Sequence, residues 1–584
     1  MPVFDEANFT FKHAFEQDKE LKKYGDQSLL VFGLALYLEV EDFDELAAEA
    51  ITDGPDDKKV DACYIDLDGR VAVVAQGYLS KHWGKAAAHA NKASDLNTAM
   101  SWLLAARIED VPSPIRTKAT ELRTAIAQKE IDSVHLVYVH NCFQSDNVRQ
   151  ELAVAAKATK GYLQSLKADQ IAVTFEELGL ESIQDLFRSK DPGHEILVTD
   201  ELNVPGTVLQ KEPGKEWKAV VLSVGGDWIQ DLYLKHGNRL FSANFRDFLG
   251  MSKRRGNINA GIRQTAASEP ANFWVYNNGI TALTHEITLK GKTIKIKGIS
   301  IINGAQTSGS IGDCEPAEAR AARVLCRLVE CAKPEIIQKI IRYNNTQNEI
   351  RPADTRSNDD RQRALRRAFA AYKITYIHRR TEVRAPHDSL SAETVGPALC
   401  AFHGDSQTAA RNRSQIFDSD ATYNRVFPPN LSAEHIFLVT SLSSAIDHLK
   451  WDLKEKVSSE KATGLQFQEY EVLKYSMSKF FILFIVGALA EELVNGKVAD
   501  LYQWKVTPKE MKPDSKKMDV CWGTVFKAIL PLIANVTSKH GTAYDVTRAK
   551  GAAEKVAADM KAMLASLEQS LGKQLECLRK ATTW

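Results

Sequence analysis

The sequence predicts a multidomain protein of the α/β and α+β classes: an α/β region over residues 1–190, a mixed strand-rich region over 191–430 and an all-helical region over 431–584. Three observations carry this. A chain of 584 residues exceeds what one hydrophobic core organises, so two to four domains are expected. The period of the apolar residues changes twice along the chain, from alternating strands and helices to mainly strands and then to helices alone. With 44% hydrophobic and 26% charged residues, the chain has the apolar content to fold and is not a disordered one.

Region 1–190 opens with an apolar helix over Leu29–Glu39. A hairpin over Val60–Tyr78, a helix over Lys85–Ala106, the strand "VHLVYVHNC" and a further helix follow. Region 191–430 carries the strands "KAVVLSV", "ITALTHEITLKGKTIKIKGISII" and "ARVLCRLVE", then helices between Glu335 and Tyr372. In region 431–584 the stripe Val556, Met560, Met563, Leu567, Leu571, Leu575 and Leu578 recurs at three- and four-residue steps and reads as core.

Several function classes drop out at this level. Lys plus Arg and Asp plus Glu both number 75, so any electrostatic argument for nucleic acid must rest on local clusters. The eight Cys lack zinc spacing, which predicts reduced thiols and no structural metal. The opening "MPVFDEANFTFKHAFEQDKE" has acidic residues and no apolar core, unlike a secretory signal. "LLVFGLALYL" and "FFILFIVGALA" are too short to span a bilayer. A cytoplasmic protein without a membrane role is expected, and no GxxxxGK[ST] or HExxH motif is present.

The hairpin "DGPDDKKVDACYIDLDGRVAVVAQGY" turns at Asp68-Gly69, a strong short-range hairpin signal. Counting outward from that turn sets Asp61 opposite Gln76 and Lys59 opposite Tyr78 on one face. This arrangement resembles the Mrr-like branch of the PD-(D/E)xK nucleases, and the resemblance implies a restriction-endonuclease-like fold for region 1–190. It also implies a divalent metal, Mg2+, held by Asp61 and Gln76, with Glu39 in the place of the family's extra acid. The family's Lys is replaced by Tyr78, and Lys59, facing it, is the candidate to supply the amine. The catalytic set is then Glu39, Lys59, Asp61 and Gln76. A charged surface hairpin, or an inherited nuclease fold that no longer cuts, accounts for the same residues.

Region 191–430 contains three stretches that set amides and hydroxyls beside apolar segments: "EPANFWVYNNGITAL", "IINGAQTSGSIG" and "IIRYNNTQNEIRPADTRSND". Asn303-Gly304 ends a strand, and Ala305 to Ser308 open a helix whose first N–H groups are unpaired and suit an anion. The candidate ligand residues are Asn278, Asn303, Gly304, Gln306, Thr307, Ser308, Asn345 and Gln347. Capping and loop-fastening by the same amides is the structural alternative. With "FRDFLG" upstream and Tyr423 to Phe427 downstream, the set resembles the abortive infection phage resistance (AIPR) family over roughly Phe241 to Phe427. That resemblance implies bacterial antiviral defence, with a nuclease-like region ahead of the motif domain.

Between Arg351 and Arg384 nine Arg and one Lys stand against four acidic residues. Arg351, Arg366, Arg367, Arg379 and Arg380, interleaved with aromatic residues, are candidates for phosphate contact. Pairing with Asp354, Asp359 and Asp360 is the competing account. Two functions follow: a defence nuclease under control of a ligand-sensing AIPR domain, or a non-catalytic sensor of nucleic acid or nucleotide that works through partner proteins of a defence system.

Overall fold

The computed structural model describes residues 4–584 except 53, 55, 189–195, 197, 237–239, 242–261, 263, 291–292, 313, 346–355, 357–358, 378–388 and 512–516. In the first region, helices α1 (Ser28–Leu38) and α2 (Phe43–Ala50) precede strands β1 (Ala62–Asp66) and β2 (Val71–Tyr78). Then come α3 (Ala90–Met100), α4 (Ser113–Ala127), β3 (Ser133–His140), α5 (Asp146–Ser165), β4 (Ala172–Leu178) and α6 (Leu180–Arg188). The four strands make one sheet in the order β1-β2-β3-β4. Its first pairing is antiparallel and the next two parallel.

The turn between β1 and β2 closes on a side chain. Asp66 Oδ1 accepts the N–H groups of Asp68 and Gly69 at 3.1 and 3.0 Å, and pairings from Ala62 with Ala75 to Asp66 with Val71 set the register counted from the sequence. Both faces of the sheet are covered, which is why β2 and β3 are continuously apolar. Cys63, Ile65, Ala72, Val74, Leu136 and Tyr138 pack with α3, α4 and α5. Val71, Val73, Ala75, Val137 and Val139 pack with α1, α2 and α6. The helix expected from Lys85 starts later, at Ala90, and ends in a π-turn over Ser101–Ala105.

The second region is a seven-stranded sheet. Its strands are β5 (Val198–Asn203), β6 (Gly206–Pro213), β7 (Trp217–Gly225), β8 (Ile280–Thr284), β9 (Glu286–Lys290), β10 (Thr293–Asn303) and β11 (Arg323–Cys331). Their order is β5-β10-β8-β11-β7-β6, with β9 on β10. Its helices are α7 (Gly226–His236), α8 (Phe273–Tyr276), α9 (Ala305–Gly312), α10 (Pro316–Ala321) and α11 (Pro334–Asn345). Val220, Leu222, Ala282, Ile301, Cys326 and Leu328 bury one face against α7, α9 and α10. On the other face Leu283, Ile302 and Val329 meet Ile337, Ile340 and Ile341 of α11 in a much smaller core.

The remaining helices include α12 (Asp360–Ala370), α13 (Ala392–Phe402), α14 (Ser406–Arg411), α15 (Asp420–Val426), α16 (Ala433–Ser458), α17 (Gly464–Leu473), α18 (Ser478–Ala488), α19 (Lys517–His540) and α20 (Ala552–Ala581). A single core runs from Leu365 to Ala581, so the boundary expected at residue 430 falls inside it. Val556, Met560, Leu575 and Leu578 lie in that core, with Met563 and Leu571 packed on it. Among the described residues one helix, α19, is long and apolar enough to cross a membrane, yet 56% of its apolar window is buried here. The expectation of eight free thiols is corrected: Cys521 on α19 and Cys577 on α20 form a disulfide, with Cα atoms 5.5 Å apart. Cys63, Cys142, Cys314, Cys326, Cys331 and Cys400 are free. The packing of the two helices brings together cysteines 56 residues apart, which spacing in sequence does not reveal.

Buried ion pairs join the first region to the helical one. Lys479 Nζ lies 3.1 Å from Glu45 and 2.6 Å from Asp447, and Lys450 Nζ lies 2.6 Å from Glu49. Lys118 Nζ is 3.0 Å from Glu121, whose carboxylate also accepts the N–H and hydroxyl of Ser476. At the tip of the β1–β2 turn, Asp68 Oδ1 accepts the Ser414 hydroxyl at 2.8 Å.

Candidate functional site

Strand parity gathers polar side chains at the carboxyl ends of the parallel strands, where open α/β sheets commonly bind ligands. Asp61 and Gln76 continue the Cys63/Ile65 and Ala72/Val74 face, and His140 and Glu177 continue the same face on β3 and β4. Gln76 is fully buried and Asp61 is 6% exposed. The Gln76 Nε2 group donates to Asp61 Oδ1 at 3.0 Å and to the Lys59 carbonyl. The other Asp61 oxygen accepts Gly77 N–H at 2.8 Å. Gln76 Oε1 is buried with no hydrogen-bond partner, an arrangement that costs free energy unless something else supplies a partner.

Lys59 sits outside the strands at a φ of 70°, following Lys58 at 52°. Its ammonium lies 3.4 Å from Asp95 of α3, while Tyr78 packs edge-on against His89 with centroids 4.9 Å apart. Glu39 is placed elsewhere. It caps α1 in the left-handed conformation at φ 56°, and α1 runs antiparallel to β2 and β3: Leu30 lies against Gly77, and Tyr37 bonds His135. Glu39 is therefore on the opposite face of the sheet and at its other end, ~18 Å along the helix from Gln27. The structure brings Asp61 and Gln76 together, with the Lys59 backbone, and leaves Glu39 apart.

Beside this pair the fold supplies residues that sequence reasoning passed over. His140 Nδ1 accepts Cys142 N–H at 3.3 Å, so the ring proton is on Nε2, which donates to Glu177 Oε1 at 3.1 Å. Glu177 also accepts Ser145 N–H at 3.2 Å, just before α5. Asn141 clamps the loop after β2, accepting Ser80 N–H and donating to Ser80 O, both at 2.8 Å. Burial raises the pKa of Tyr138 above its ordinary value, with Cys142, Tyr78, Glu177 and Asp61 adding to it. The signal was the polar pair His140-Asn141 ending the apolar run "VHLVYV". Both His140 nitrogens are engaged, so the ring is a peg that holds the floor of the site.

Asp61 and Gln76 offer two hard oxygen ligands, and the partnerless Gln76 Oε1 fits a cation such as magnesium, which takes most of its shell from water and phosphate. Among the described residues, only Asp42, Glu45 and Asp447 bring three carboxylate, imidazole or thiolate ligand atoms within 4.8 Å of one another. The Lys479 ammonium already occupies that cluster.

In the second region the amide-rich stretches fasten one another. Asn277 Oδ1 accepts Gly279 N–H at 2.8 Å and the Thr307 hydroxyl at 3.0 Å. Asn303 Nδ2 donates to Asn344 O at 2.6 Å, and the Ser308 hydroxyl donates to Gly304 O at 3.1 Å. Gly304 has φ 91°, and a Cβ there would lie 2.5 Å from Gly279 O, so its missing side chain serves the approach of two backbone turns. Thr307 and Ser308 are buried, Asn278 is exposed, and Gln306 Nε2 is buried without a partner. The side chain of Asn345 and all of Gln347 lie outside the described residues.

The Arg cluster divides. Arg356 and Arg361 stack on Tyr423, each guanidinium 4.6 Å from the ring centroid. Arg361 also binds Asp359, Asn424 Oδ1 and Phe427 O, so these two hold the Tyr423 to Phe427 segment in place. Arg363 pairs with Asp360 at 2.5 Å. Arg366 and Arg367 are exposed on α12. Arg351, Arg379, Arg380 and Asp354 lie outside the described residues.

Residues 241–518 match the family described as AIPR protein. This supports the AIPR assignment from Phe241 onward, over the second region after α7 and the first part of the helical core, well past Phe427. No curated protein and no solved structure matches the chain.

Proposed function

We propose that the chain is an antiphage defence protein of the abortive infection type, in which the first region is a magnesium-dependent nuclease and the AIPR-matching region senses a ligand. The observation that carries the nuclease reading is the paired Asp61 and Gln76 with Gln76 Oε1 left for a cation. Asp61 and Gln76 hold the ion, and Gly77 N–H orients the Asp61 carboxylate. Bound magnesium supplies charge neutralisation at the scissile phosphate and a more acidic water. The Lys59 ammonium, on the α3 side of the same face, is the cation available to that water once it leaves Asp95.

A second reading has its own support. With Glu39 distant, Tyr78 packed on His89 and both Asp61 oxygens hydrogen-bonded, the first region also suits a non-catalytic scaffold that works through partner proteins. A plaque assay separates the two, with wild type, Asp61→Ala, Gln76→Ala and Thr307→Ala at matched protein levels. The nuclease reading expects lost protection for Asp61→Ala and Gln76→Ala, together with magnesium-dependent cleavage of plasmid or RNA by wild type alone. Full protection by both variants overturns it and leaves the scaffold.

A further inference from the structure

Among the described residues, the second sheet has one well-covered face and one that α11 covers only in part. On the latter, Arg327 and Arg323 of β11 are exposed. Arg327 Nη2 donates to Thr281 Oγ1 at 3.1 Å and to Asn344 Oδ1. Both acceptors are neutral, so the guanidinium is held in place with its charge intact. No carboxylate among the described residues pairs with it. Lys339 is exposed one turn before Tyr343 on α11.

Large exposed rings stand on α8, which packs on β11, and on α11 beside Asn344, which holds Arg327. Trp274, Tyr276 and Tyr343 are 38%, 64% and 65% exposed, and rings of this size are more often covered. They are fastened to one short segment: Asn277, next to Tyr276, bonds Thr307, and Asn344, next to Tyr343, takes the Asn303 amide. Helix α8, which carries Trp274 and Tyr276, packs on β11, and Gly279 backs onto Leu325, two residues from Arg327.

We propose that this face binds single-stranded nucleic acid, with bases on the rings of Trp274, Tyr276 and Tyr343 and a phosphate on Arg327. Exposed rings accept only bases that are free of a duplex stack, and a positioned guanidinium matches a phosphate. The inference rests on reading the central region as the ligand sensor and names the ligand class. It is independent of Arg366 and Arg367.

The test uses the full chain with chelator present to prevent cleavage, and fluorescence anisotropy with labelled oligouridylate and oligodeoxythymidylate. Wild type is expected to bind, and Tyr276→Ala and Tyr343→Ala each to weaken binding by about 5- to 100-fold. Arg327→Ala is expected to weaken it and to reduce the salt slope by about one phosphate contact. Arg107→Ala, on the first region, should leave binding unchanged. All three are surface positions, and circular dichroism checks that each variant is folded. Equal binding by wild type and all three variants overturns this site and moves the contact to another basic surface, leaving the sensor reading intact. No binding by wild type overturns the proposal as well. If Thr307→Ala then still abolishes phage protection, the sensor reading survives with a different ligand; if it does not, both fall.

Discussion

Two imidazoles in the helical core, His435 buried and His403 half-buried, set a pH limit on the fold. His435 Nδ1 lies 2.6 Å from Trp504 O, which only accepts, so His435 Nε2 is an acceptor and the His403 Nε2–H facing it at 2.9 Å is the donor. Burial pushes His435 down to about 4, against the Trp504 carbonyl and Asp500, which favour its charged form. Burial, then His435 and Arg425, lower His403 further. Unfolded histidines titrate near 6.5, so between about pH 6.5 and 4 the unfolded chain binds more protons than the folded one. Stability from this pair is complete above that window and falls as pH drops through it. The melting temperature should decline from about pH 7.5 to about pH 5, and less steeply in His403→Gln, which keeps a donor toward His435. An unchanged slope in the variant would remove the pair as the cause. At Gln76, replacement by Leu should abolish magnesium-dependent cleavage while Gln76→Glu retains part of it, because only the latter keeps an oxygen ligand.

At the scale of elements, the β1–β2 hairpin was legible because its register follows from one turn and a period of two, and Asp61 meets Gln76 as counted. Glu39 was not, because the direction in which α1 crosses the sheet depends on packing of Leu30, Gly33 and Tyr37 against β2 and β3. Much of the amide chemistry also resolved into fastening: Asn277, Asn303 and Ser308 bond neighbouring loops. Composition shows that such residues are present but not whether they face solvent or each other. Helix α9 begins where two turns touch, and Gly304→Ala should destabilise by about 2 kcal/mol or more, since it combines a left-handed φ with contact on the Gly279 carbonyl. A urea titration measures this, and a shift below about 0.5 kcal/mol would show that the turns can part.

For the whole molecule, the first region and the helical core are held by charge as well as by apolar contact. Lys479 stays charged against its burial because Asp447 and Glu45 face it. Lys479→Met removes the ammonium from the Asp42, Glu45 and Asp447 cluster and leaves Asp447 without its ion-pair partner, while Glu45 keeps Arg413 at 3.6 Å, a loss of about 3–5 kcal/mol that a thermal melt should register. The added changes Glu45→Gln and Asp447→Asn should return much of it, because the uncompensated charge then disappears. If the single variant melts like wild type, the Lys479 pairs do not hold the two regions together.

The back-to-back turns at Gly279 and Gly304 also constrain how the sequence can drift. A Cβ at Gly279 would lie 2.2 Å from Leu325 O, and one at Gly304 2.5 Å from Gly279 O. Neither position relieves the other, so a replacement at one is not rescued by any second change at its partner. In a saturation mutagenesis library the two glycines should behave as independent dead ends, while Asn278, exposed immediately before Gly279, accepts many side chains.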